Sequence, residues 1–539
     1  MKDFWWGRYS IVFYAGVFAL LALLGGLLGL WSAWWFVPLA ALLGLGIHDR
    51  LQQKHTLLGN YPLLGRFRFF FETIRPELRQ YFWEADDDEL PYSRNQRAMV
   101  YQRAKGIMAA RPFGSTQAMY QDEFSWLNHA IQPTHIVDKH FRVVVGEGDA
   151  AYAASVLNIS GTSFGSLSPR AIQALNTGAG WGDFAHNTGE GSYSKYHQAG
   201  GGDVIWQIST GYFGCRTPEG RFDPDAFAEK AVSPQVKMIE IKISQGAKPG
   251  HGGMLLGPKV TAEIAATRGI PEGQDCVSPA HHAEFSTPTE LLDFADRLRR
   301  LSGGKPVGIK LCIGHPWEFL AIVKAMVESQ RYLDFITVDG AEGGTGAAPV
   351  EFTDHLGTPL KDGLTFVDNA LRAVGLRERI KVAASGKIVS AFDIAQHCAL
   401  GADWVNMARP FMFALGCIQA RDCSSGRCPT GIATMDPKRY RVIDVDDRAM
   451  RVRNFHQNTL NALAELMESA GLEHPSQLNR QHIMRRHSGS QVQMEEKFSP
   501  TVRNKALLTE GACGDERIDA YWRRVSGECF GLMPEAVEA

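Results

Sequence analysis

The sequence predicts an α/β protein built on a (β/α)8 TIM barrel, with an N-terminal transmembrane hairpin and helical extensions. Eight short apolar runs, each ending near Gly, Ser or Asn, alternate with helix-spaced segments between residues 151 and 437. Glycine-rich segments concentrate at the ends of these runs, where a parallel barrel carries its chemistry. Ahead of the barrel, residues 9–47 contain no charged side chain.

The composition is that of a large protein without a polyanionic partner. The chain has 539 residues, of which 45% are hydrophobic, so it can bury a large core. Its 56 basic and 58 acidic side chains leave a formal charge of -2, and no nucleic-acid partner is expected. Nine cysteines are too few for a disulfide framework in so long a chain, which favours a reducing compartment.

Residues 1–54 are predicted to form a transmembrane hairpin with its flanks. The uncharged stretch exceeds the roughly 20 residues that one spanning helix needs. We therefore expect a first span at Ile11–Leu30, a turn near Trp31, and a shorter second span or a re-entrant segment at Trp34–Ile47. Basic residues flank both ends of the stretch: Lys2, Arg8, Arg50 and Lys54. Both ends should therefore lie in the cytoplasm, with the catalytic domain facing the cytoplasm from the inner membrane. A cleaved signal peptide is the alternative, although its apolar core would span only about 7–15 residues.

Two further regions flank the barrel. Residues 55–150 are predicted to be a linker or cap that packs on the barrel near the membrane surface, because residues 66–71 are aromatic and basic. The alternative is that these aromatic side chains simply fill a core. Residues 438–539 are predicted to be a helical extension.

The barrel prediction depends on eight candidate strands. They are Val156–Gly161, Gly182–Asn187, Asp203–Ser209, Met238–Ser244, Val307–Cys312, Asp334–Asp339, Ile380–Ser385 and Asp403–Ala408. An open doubly wound sheet would explain the same alternation of strand and helix. The sequence lacks a Gly-x-Gly-x-x-Gly turn after an early strand, which favours the barrel.

The segments at the strand ends predict a phosphorylated, flat ligand. Small and polar residues cluster there: Ser163, Gly165 and Ser166 after the first strand, Asn187 at the second, Gly343, Gly344, Thr345 and Gly346 after the sixth, Ser385, Gly386 and Lys387 at the seventh, and Arg409 after the eighth. Glycine lets the backbone approach a ligand closely. Barrels commonly hold phosphate on the loops after strands seven and eight. A flavin mononucleotide (FMN) would fit this pattern.

Lys310 is the candidate contact to the flavin ring. Its alternation with Ile309 and Leu311 in the fifth strand points it into the barrel mouth. Reduced flavin gains negative charge, which a nearby cation stabilises. The alternative is an ion pair with a neighbouring strand.

Three cysteines form a candidate metal centre. Cys417, Cys423 and Cys428 have the spacing Cys-x5-Cys-x4-Cys, and a proline follows the last of them, as in many iron–sulfur ligand runs. Three ligands suggest a 3Fe–4S cluster. Zinc is the rival metal, but neither His397 nor His456 has finger-like spacing. Unpaired structural cysteines are the third interpretation.

Several of these motifs together resemble the FMN-binding synthase domain of the glutamate synthase family. The resemblance covers roughly residues 158–437. The motifs are residues 163–168, 187–191, 245–250, 278–282 and 343–346, and the three-cysteine run. It implies a barrel that reduces 2-iminoglutarate, formed from 2-oxoglutarate and ammonia, to glutamate by hydride transfer from FMN. The flavin would be refilled with electrons through the 3Fe–4S cluster.

The resemblance also implies roles for four residues. Gln245, Lys248 and Arg268 would hold the carboxylates of 2-oxoglutarate, and Glu190 would lie near the reacting carbon. A dicarboxylate needs cations and one acid to handle protons, which agrees with this set. For Arg268, an exposed arginine at a helix end is the alternative. The sequence departs from the family at His251, where a glutamate is usual.

The electron donor is expected to be external. The sequence shows no glutaminase domain, because it starts Met1-Lys2-Asp3 and continues into the apolar stretch, and it shows no pyridine-nucleotide fingerprint. Electrons are therefore expected from a separate protein or a membrane carrier. The alternatives are an amino-acid or N-alkylglutamate oxidoreductase that passes electrons to the membrane, and a non-catalytic membrane scaffold.

Overall fold

Eight parallel strands close into a barrel in the computed structural model, which describes residues 7–30, 33–88, 91–107, 110–488 and 491–534. The strands are Leu157–Ile159, His186–Asn187, Val204–Ile208, Val236–Lys242, Val307–Leu311, Phe335–Asp339, Lys381–Ser385 and Trp404–Met407. Each strand pairs with the next along the chain, and the eighth pairs with the first. The predicted barrel is confirmed, and closure excludes the open doubly wound sheet.

Helices follow the barrel strands and cover them. They are Pro169–Gly182, Lys195–Gly200, Pro224–Ala231, Ala262–Arg268, Pro288–Leu301, Pro316–Ser329, Val350–His355, Leu360–Ala373, Ala391–Ala399 and Arg409–Ala414. Local signals start several of them. Thr287 accepts a hydrogen bond from the backbone of Glu290, whose side chain accepts one from the backbone of Thr287, and this capping box begins the helix Pro288–Leu301. The strands are almost entirely buried, as expected for a parallel sheet covered on its outer face.

The chain after the barrel adds both helices and strands. The helices are Pro437–Tyr440, Val445–Ser469, Glu495–Phe498, Ala506–Glu510 and Glu516–Asp519. The long helix Val445–Ser469 packs on Pro169–Gly182 at Gly178, where an added Cβ would lie 2.6 Å from the carbonyl oxygen of Ala449. A hairpin of Ile483–His487 and Gln491–Met494 forms a sheet with Ser125–Leu127.

The structure divides the chain into two units, residues 1–90 and 91–539. The second unit includes, ahead of the barrel, the helix Arg94–Ala104 and the antiparallel pair Arg142–Val145 and Tyr152–Ser155. A second antiparallel pair, Met254–Leu255 and Cys276–Val277, follows the fourth barrel strand.

The first unit contains two apolar helices, Ser10–Leu27 and Phe36–Leu51. An added Cβ at Gly46 would lie 2.7 Å from Val12, and one at Gly16 would lie 3.4 Å from Leu43, so the two helices run antiparallel in close contact. Among the described residues, Ser10–Leu27 is the one helix long and apolar enough to cross a membrane, with a mean hydropathy of 2.2. Phe36–Leu51 has 16 residues. The predicted turn at Trp31 and the basic flank at Lys2 lie outside the described residues.

Two further helices complete the first unit, Thr56–Asn60 and Leu64–Leu78. An ion pair between the buried Asp49 and the half-exposed Arg66 fastens Leu64–Leu78 to the end of the second apolar helix. The fully buried Asp49 accepts hydrogen bonds of 2.8 and 2.6 Å from Arg66 and one of 3.2 Å from the backbone of Leu63.

Asp49→Asn should loosen this junction, because a neutral amide replaces the buried carboxylate that accepts hydrogen bonds from Arg66 and from the backbone of Leu63. Limited proteolysis should show faster cleavage between residues 52 and 63. Arg68→Gln is the matched control, since it removes only the exposed pair with Glu72, at 2.7 Å. Equal cleavage rates for the parent and Asp49→Asn would contradict the role assigned to the buried pair.

Candidate active site

A cavity lies at the carboxyl ends of the barrel strands, walled by the loops that follow them. Its volume is about 280 Å³, close to the lower end of the roughly 300–1,000 Å³ of small-molecule sites. Most of the predicted site residues line it: Ser163, Ser166, Glu190, Gln245, Lys248, Lys310, Gly343, Gly344, Thr345, Gly346, Ser385, Gly386, Lys387, Arg409 and Cys423. The other predicted residues do not line it: Gly165, Asn187, Arg268, Cys417 and Cys428.

Glu190 and Lys242 form an ion pair in this cavity. The Nζ of Lys242, at the end of the fourth barrel strand, donates to Oε2 of Glu190 over 2.9 Å. Burial favours the neutral acid, but the ammonium groups of Lys242 and Lys248 and the guanidinium of Arg268 outweigh it and lower the pKa of Glu190 to about 2. Glu190 is therefore a carboxylate at neutral pH.

This ion pair predicts a pH-dependent contribution to stability. The pKa of Glu190 falls from 4.5 to about 2 on folding, so its contribution should be complete above pH 4.5 and decline as the pH falls towards 2. The parent should melt at a higher temperature than Glu190→Gln at neutral pH, and the gap should shrink below pH 4.5. Thermal unfolding of both proteins across this range measures it. A gap that grew on acidification would contradict the assignment.

Lys248 lies on a loop folded over the Glu190 side chain. Its Nζ donates to the carbonyl of Gly252 over 2.7 Å, and an added Cβ at Gly253 would lie 2.3 Å from Oε1 of Glu190. Burial lowers the pKa of Lys248, and the Glu190 carboxylate opposes that shift. Gly246 lets the same loop approach the sixth-strand loop, since an added Cβ would lie 1.7 Å from the carbonyl oxygen of Gly340.

Lys310 faces the cavity and also has a partner there. Its Nζ is 3.5 Å from Oδ2 of Asp339, at the end of the neighbouring sixth strand. The same oxygen accepts a hydrogen bond of 2.8 Å from the backbone of Gly246. The strand-neighbour ion pair and the cavity-facing position are therefore both present, and the lysine is held in place before any ligand binds.

The opposite wall of the cavity is cationic and rich in small residues. Lys387 and Arg409 line it together with Gly386. The Nη2 of Arg409 donates to the carbonyl of Gly344 over 3.0 Å, which joins the eighth-strand and sixth-strand loops. Two cations beside an open glycine-rich wall match the demands of a phosphate group.

Asn187 and Arg268 lie behind the cavity wall. Asn187 donates to Oε1 of the buried Glu240 over 2.7 Å and accepts from the backbone of Gly189 over 2.9 Å, so it orients the turn that carries Glu190. The buried Arg268 donates to the carbonyl of Phe164 over 2.9 Å. Gly165 makes room for it, because an added Cβ there would lie 3.2 Å from the guanidinium.

The cysteine loop adjoins the cavity. Cys423 is part of the wall, and an added Cβ at Gly346 would lie 3.2 Å from its Cβ. Lys259 donates to the carbonyl of Cys423 over 2.7 Å. Burial raises the pKa of Cys417 to about 11. As arranged in the described residues, no group of three His, Cys, Asp or Glu side chains is close enough to hold a metal ion.

Sequence reasoning missed Lys242, Asp339 and Lys259. All three line the cavity. The rule that found Lys310 applies equally to Lys242, because a lysine inside an apolar strand needs a partner. Asp339 could also have been found, because it is an acidic residue at the end of a strand and directly precedes a glycine-rich loop. Nothing in the sequence near Lys259 indicated its contact with a loop more than 160 residues later.

A closed parallel barrel with a charged cavity at the carboxyl ends of its strands is the arrangement of a barrel enzyme. The family described as "Conserved region in glutamate synthase" matches residues 140–473. The chain therefore belongs to the glutamate synthase family and is an oxidoreductase of that family.

Individual relatives agree with this assignment. The chain is similar to a glutamate synthase large subunit-like protein of Bacillus subtilis (strain 168), with 37% identity over 85% of this chain and 95% of that protein. It is 38% identical to an archaeal glutamate synthase [NADPH] of Methanocaldococcus jannaschii over 53% of each chain. It thus spans nearly all of the first relative and about half of the second. A solved structure of mandelate oxidase matches with a TM-score of 0.44 and 16% identity, over 72% of this chain and 99% of that one.

Proposed function

We propose that this protein is a membrane-anchored, FMN-dependent enzyme that reduces 2-iminoglutarate, formed from 2-oxoglutarate and ammonia, to glutamate. The observation that carries the proposal is the ion pair of Glu190 with Lys242, at 2.9 Å, in a barrel cavity that Lys248 also lines. Membership of the glutamate synthase family supports the same chemistry.

The residues of the cavity fit FMN. Lys387 and Arg409 would hold its phosphate, and the glycine-rich residues 343–346 leave an open wall beside them. Lys310 would lie at the flavin ring as the cation that stabilises the reduced form. Bound FMN would supply the hydride for the reduction.

The cations beside Glu190 suit a dicarboxylate substrate. Lys248 and Gln245 line the cavity and would bind its carboxylates. Arg268 is buried behind the wall and donates to the carbonyl of Phe164, so it would not contact the substrate directly. It would act through its electrostatic attraction to the Glu190 carboxylate.

Glu190 would act as a fixed negative charge. Burial opposes ionisation, but the neighbouring cations Lys242, Arg268 and Lys248 lower the pKa of Glu190, which favours the ionised carboxylate over a proton-donating acid. A carboxylate at this position would favour protonation of the imine nitrogen, and a protonated imine accepts hydride more readily than a neutral one. Lys242 keeps the carboxylate in place.

The cysteine loop would hold a 3Fe–4S cluster. Cys417, Cys423 and Cys428 supply three thiolates, and Cys423 also borders the cavity. Burial opposes ionisation of Cys428, but hydrogen bonds from Thr430 and nearby backbone groups lower its pKa, which favours the ligating thiolate form. The electrons would come from a separate donor protein or a membrane carrier.

The two apolar helices of the first unit would anchor the enzyme in the inner membrane. Ser10–Leu27 meets the length and hydropathy of a span. Phe36–Leu51 runs antiparallel to it and would return the chain to the same side, so that the catalytic domain faces the cytoplasm.

The test is flavin reoxidation by candidate substrates. Anaerobically purified protein with dithionite-reduced FMN should be reoxidised by 2-oxoglutarate plus ammonium, and glutamate should accumulate. Either component alone should leave the flavin reduced. Reoxidation by other 2-oxo acids and not by 2-oxoglutarate would overturn the substrate, and reduction of oxidised FMN by N-methylglutamate would support the reverse, amine-oxidising reaction.

A further inference from the structure

The two apolar helices of the first unit enclose a groove that no part of the proposed reaction uses. The groove lies between Ser10–Leu27 and Phe36–Leu51, has a volume of about 640 Å³ and is walled by apolar side chains such as Val12, Val17 and Leu43. It continues into the exposed apolar surface of the first helix, where Leu20 is 56% exposed and lines the groove. One end of the site is therefore suited to a hydrocarbon chain.

The other end of the groove is cationic. Arg50 and Tyr9 line it, and the guanidinium of Arg50 lies 5.5 Å from the centroid of the Tyr9 ring. The guanidinium of Arg8 lies 5.1 Å from the same ring. The two arginines, one before the first helix and one near the end of the second, thus converge on a single aromatic ring.

Neither guanidinium is committed to a carboxylate in the described part of the chain. Each arginine is exposed, and no carboxylate pairs with either of them within the described part of the chain. The hydrogen bond found for Arg8 goes to the neutral Oδ1 of Asn60, at 3.4 Å. Arg66, in contrast, is already committed to Asp49.

We infer that this groove binds one anionic phospholipid, with an acyl chain along the seam of the two helices and the phosphate on Arg8 and Arg50. Two guanidiniums at the end of an apolar groove match an amphiphile whose head is anionic. Both arginines flank the proposed membrane segments on the cytoplasmic side, where anionic lipids concentrate. The inference rests on the membrane anchoring proposed above.

Native mass spectrometry of the detergent-purified full-length protein tests the inference, with phosphatidylglycerol and phosphatidylcholine titrated in parallel. One phosphatidylglycerol should be retained in preference to phosphatidylcholine. Arg8→Gln with Arg50→Gln should weaken its retention by about tenfold or more, since two charge-assisted contacts to the phosphate are lost. Val17→Trp, which fills the groove without changing charge, should also weaken it.

Arg68→Gln with Arg79→Gln is the matched control, because it removes the same charge from another part of the same unit. Equal loss of lipid in this control would overturn the site in favour of diffuse attraction. Retention that Val17→Trp leaves unchanged would overturn the groove, and capture of a neutral isoprenoid quinone in place of phosphatidylglycerol would overturn the ligand class. FMN reoxidation by 2-oxoglutarate and ammonium, measured on the same preparations, reports separately on the barrel.

Discussion

Cys423→Ser should abolish the iron–sulfur signal of the purified protein and leave most of its FMN bound. A three-iron cluster needs three thiolates, and serine cannot supply one. The proposed phosphate contacts, Lys387 and Arg409, belong to other loops, so most of the flavin should be retained although Cys423 borders the same cavity. Iron and acid-labile sulfide analysis, electron paramagnetic resonance of the oxidised protein, and the flavin released on denaturation measure the two cofactors separately.

Cys529→Ser is the control for this experiment. Cys529 is an exposed thiol outside the cysteine loop, so iron and FMN should both remain at parental levels. Unchanged iron in Cys423→Ser would contradict the ligand assignment. Zinc without iron in the parent protein would assign the three cysteines to the rival metal.

The barrel could be predicted because its signals are local. Each strand is a short apolar run followed by a turn. The count of eight strands and the lack of a Gly-x-Gly-x-x-Gly turn favoured a closed barrel over an open sheet. The second strand shows the limit of such signals. The prediction began it at Gly182, but Gly182 ends a helix, and Asp183 adopts the left-handed conformation that terminates it. Ala185 then donates to the side chain of Asn158 rather than to a strand. The strand is reduced to His186–Asn187.

The position of the cavity could be predicted, but the ion pairs between its charged side chains could not. Topology alone places the loops at one end of the barrel, which is why most of the predicted residues meet there. The partners of the charges come from tertiary structure. Lys242 lies 52 residues after its partner Glu190 in the sequence, and Asp339 lies on a strand next to that of its partner Lys310. Periodicity indicates that a lysine points inward without indicating which carboxylate it meets.

Arg268 also shows that local sequence does not determine burial. Its sequence neighbours suit an exposed helix end, and it is indeed the last residue of the helix Ala262–Arg268. The packing of the first-strand loop nevertheless buries it, with 3% of its surface exposed, behind the wall. Burial of this kind depends on a segment that lies about 100 residues earlier, so no local pattern contains it.

Lys248→Met should lower the affinity for 2-oxoglutarate by at least about tenfold and leave the FMN content unchanged. The lysine lines the cavity on the loop over Glu190, where its ammonium now donates to the carbonyl of Gly252 at 2.7 Å and could turn to a substrate carboxylate. A charge-assisted contact of this kind contributes about 1.5–3 kcal/mol, and each 1.4 kcal/mol is roughly a factor of ten. Titration of the reduced protein with 2-oxoglutarate measures the affinity.

Lys310→Met provides the comparison that separates the two lysines. Lys310 lies on the fifth strand against Asp339 and is the proposed flavin contact, so its loss should lower FMN content or the flavin potential. Lys248→Arg should retain part of the affinity, because it keeps the charge without the same reach. If Lys248→Met instead loses FMN while it binds 2-oxoglutarate normally, the roles of the two lysines are reversed. Unaltered affinity and FMN content would remove Lys248 from the substrate site, and with it the main contact proposed for a dicarboxylate.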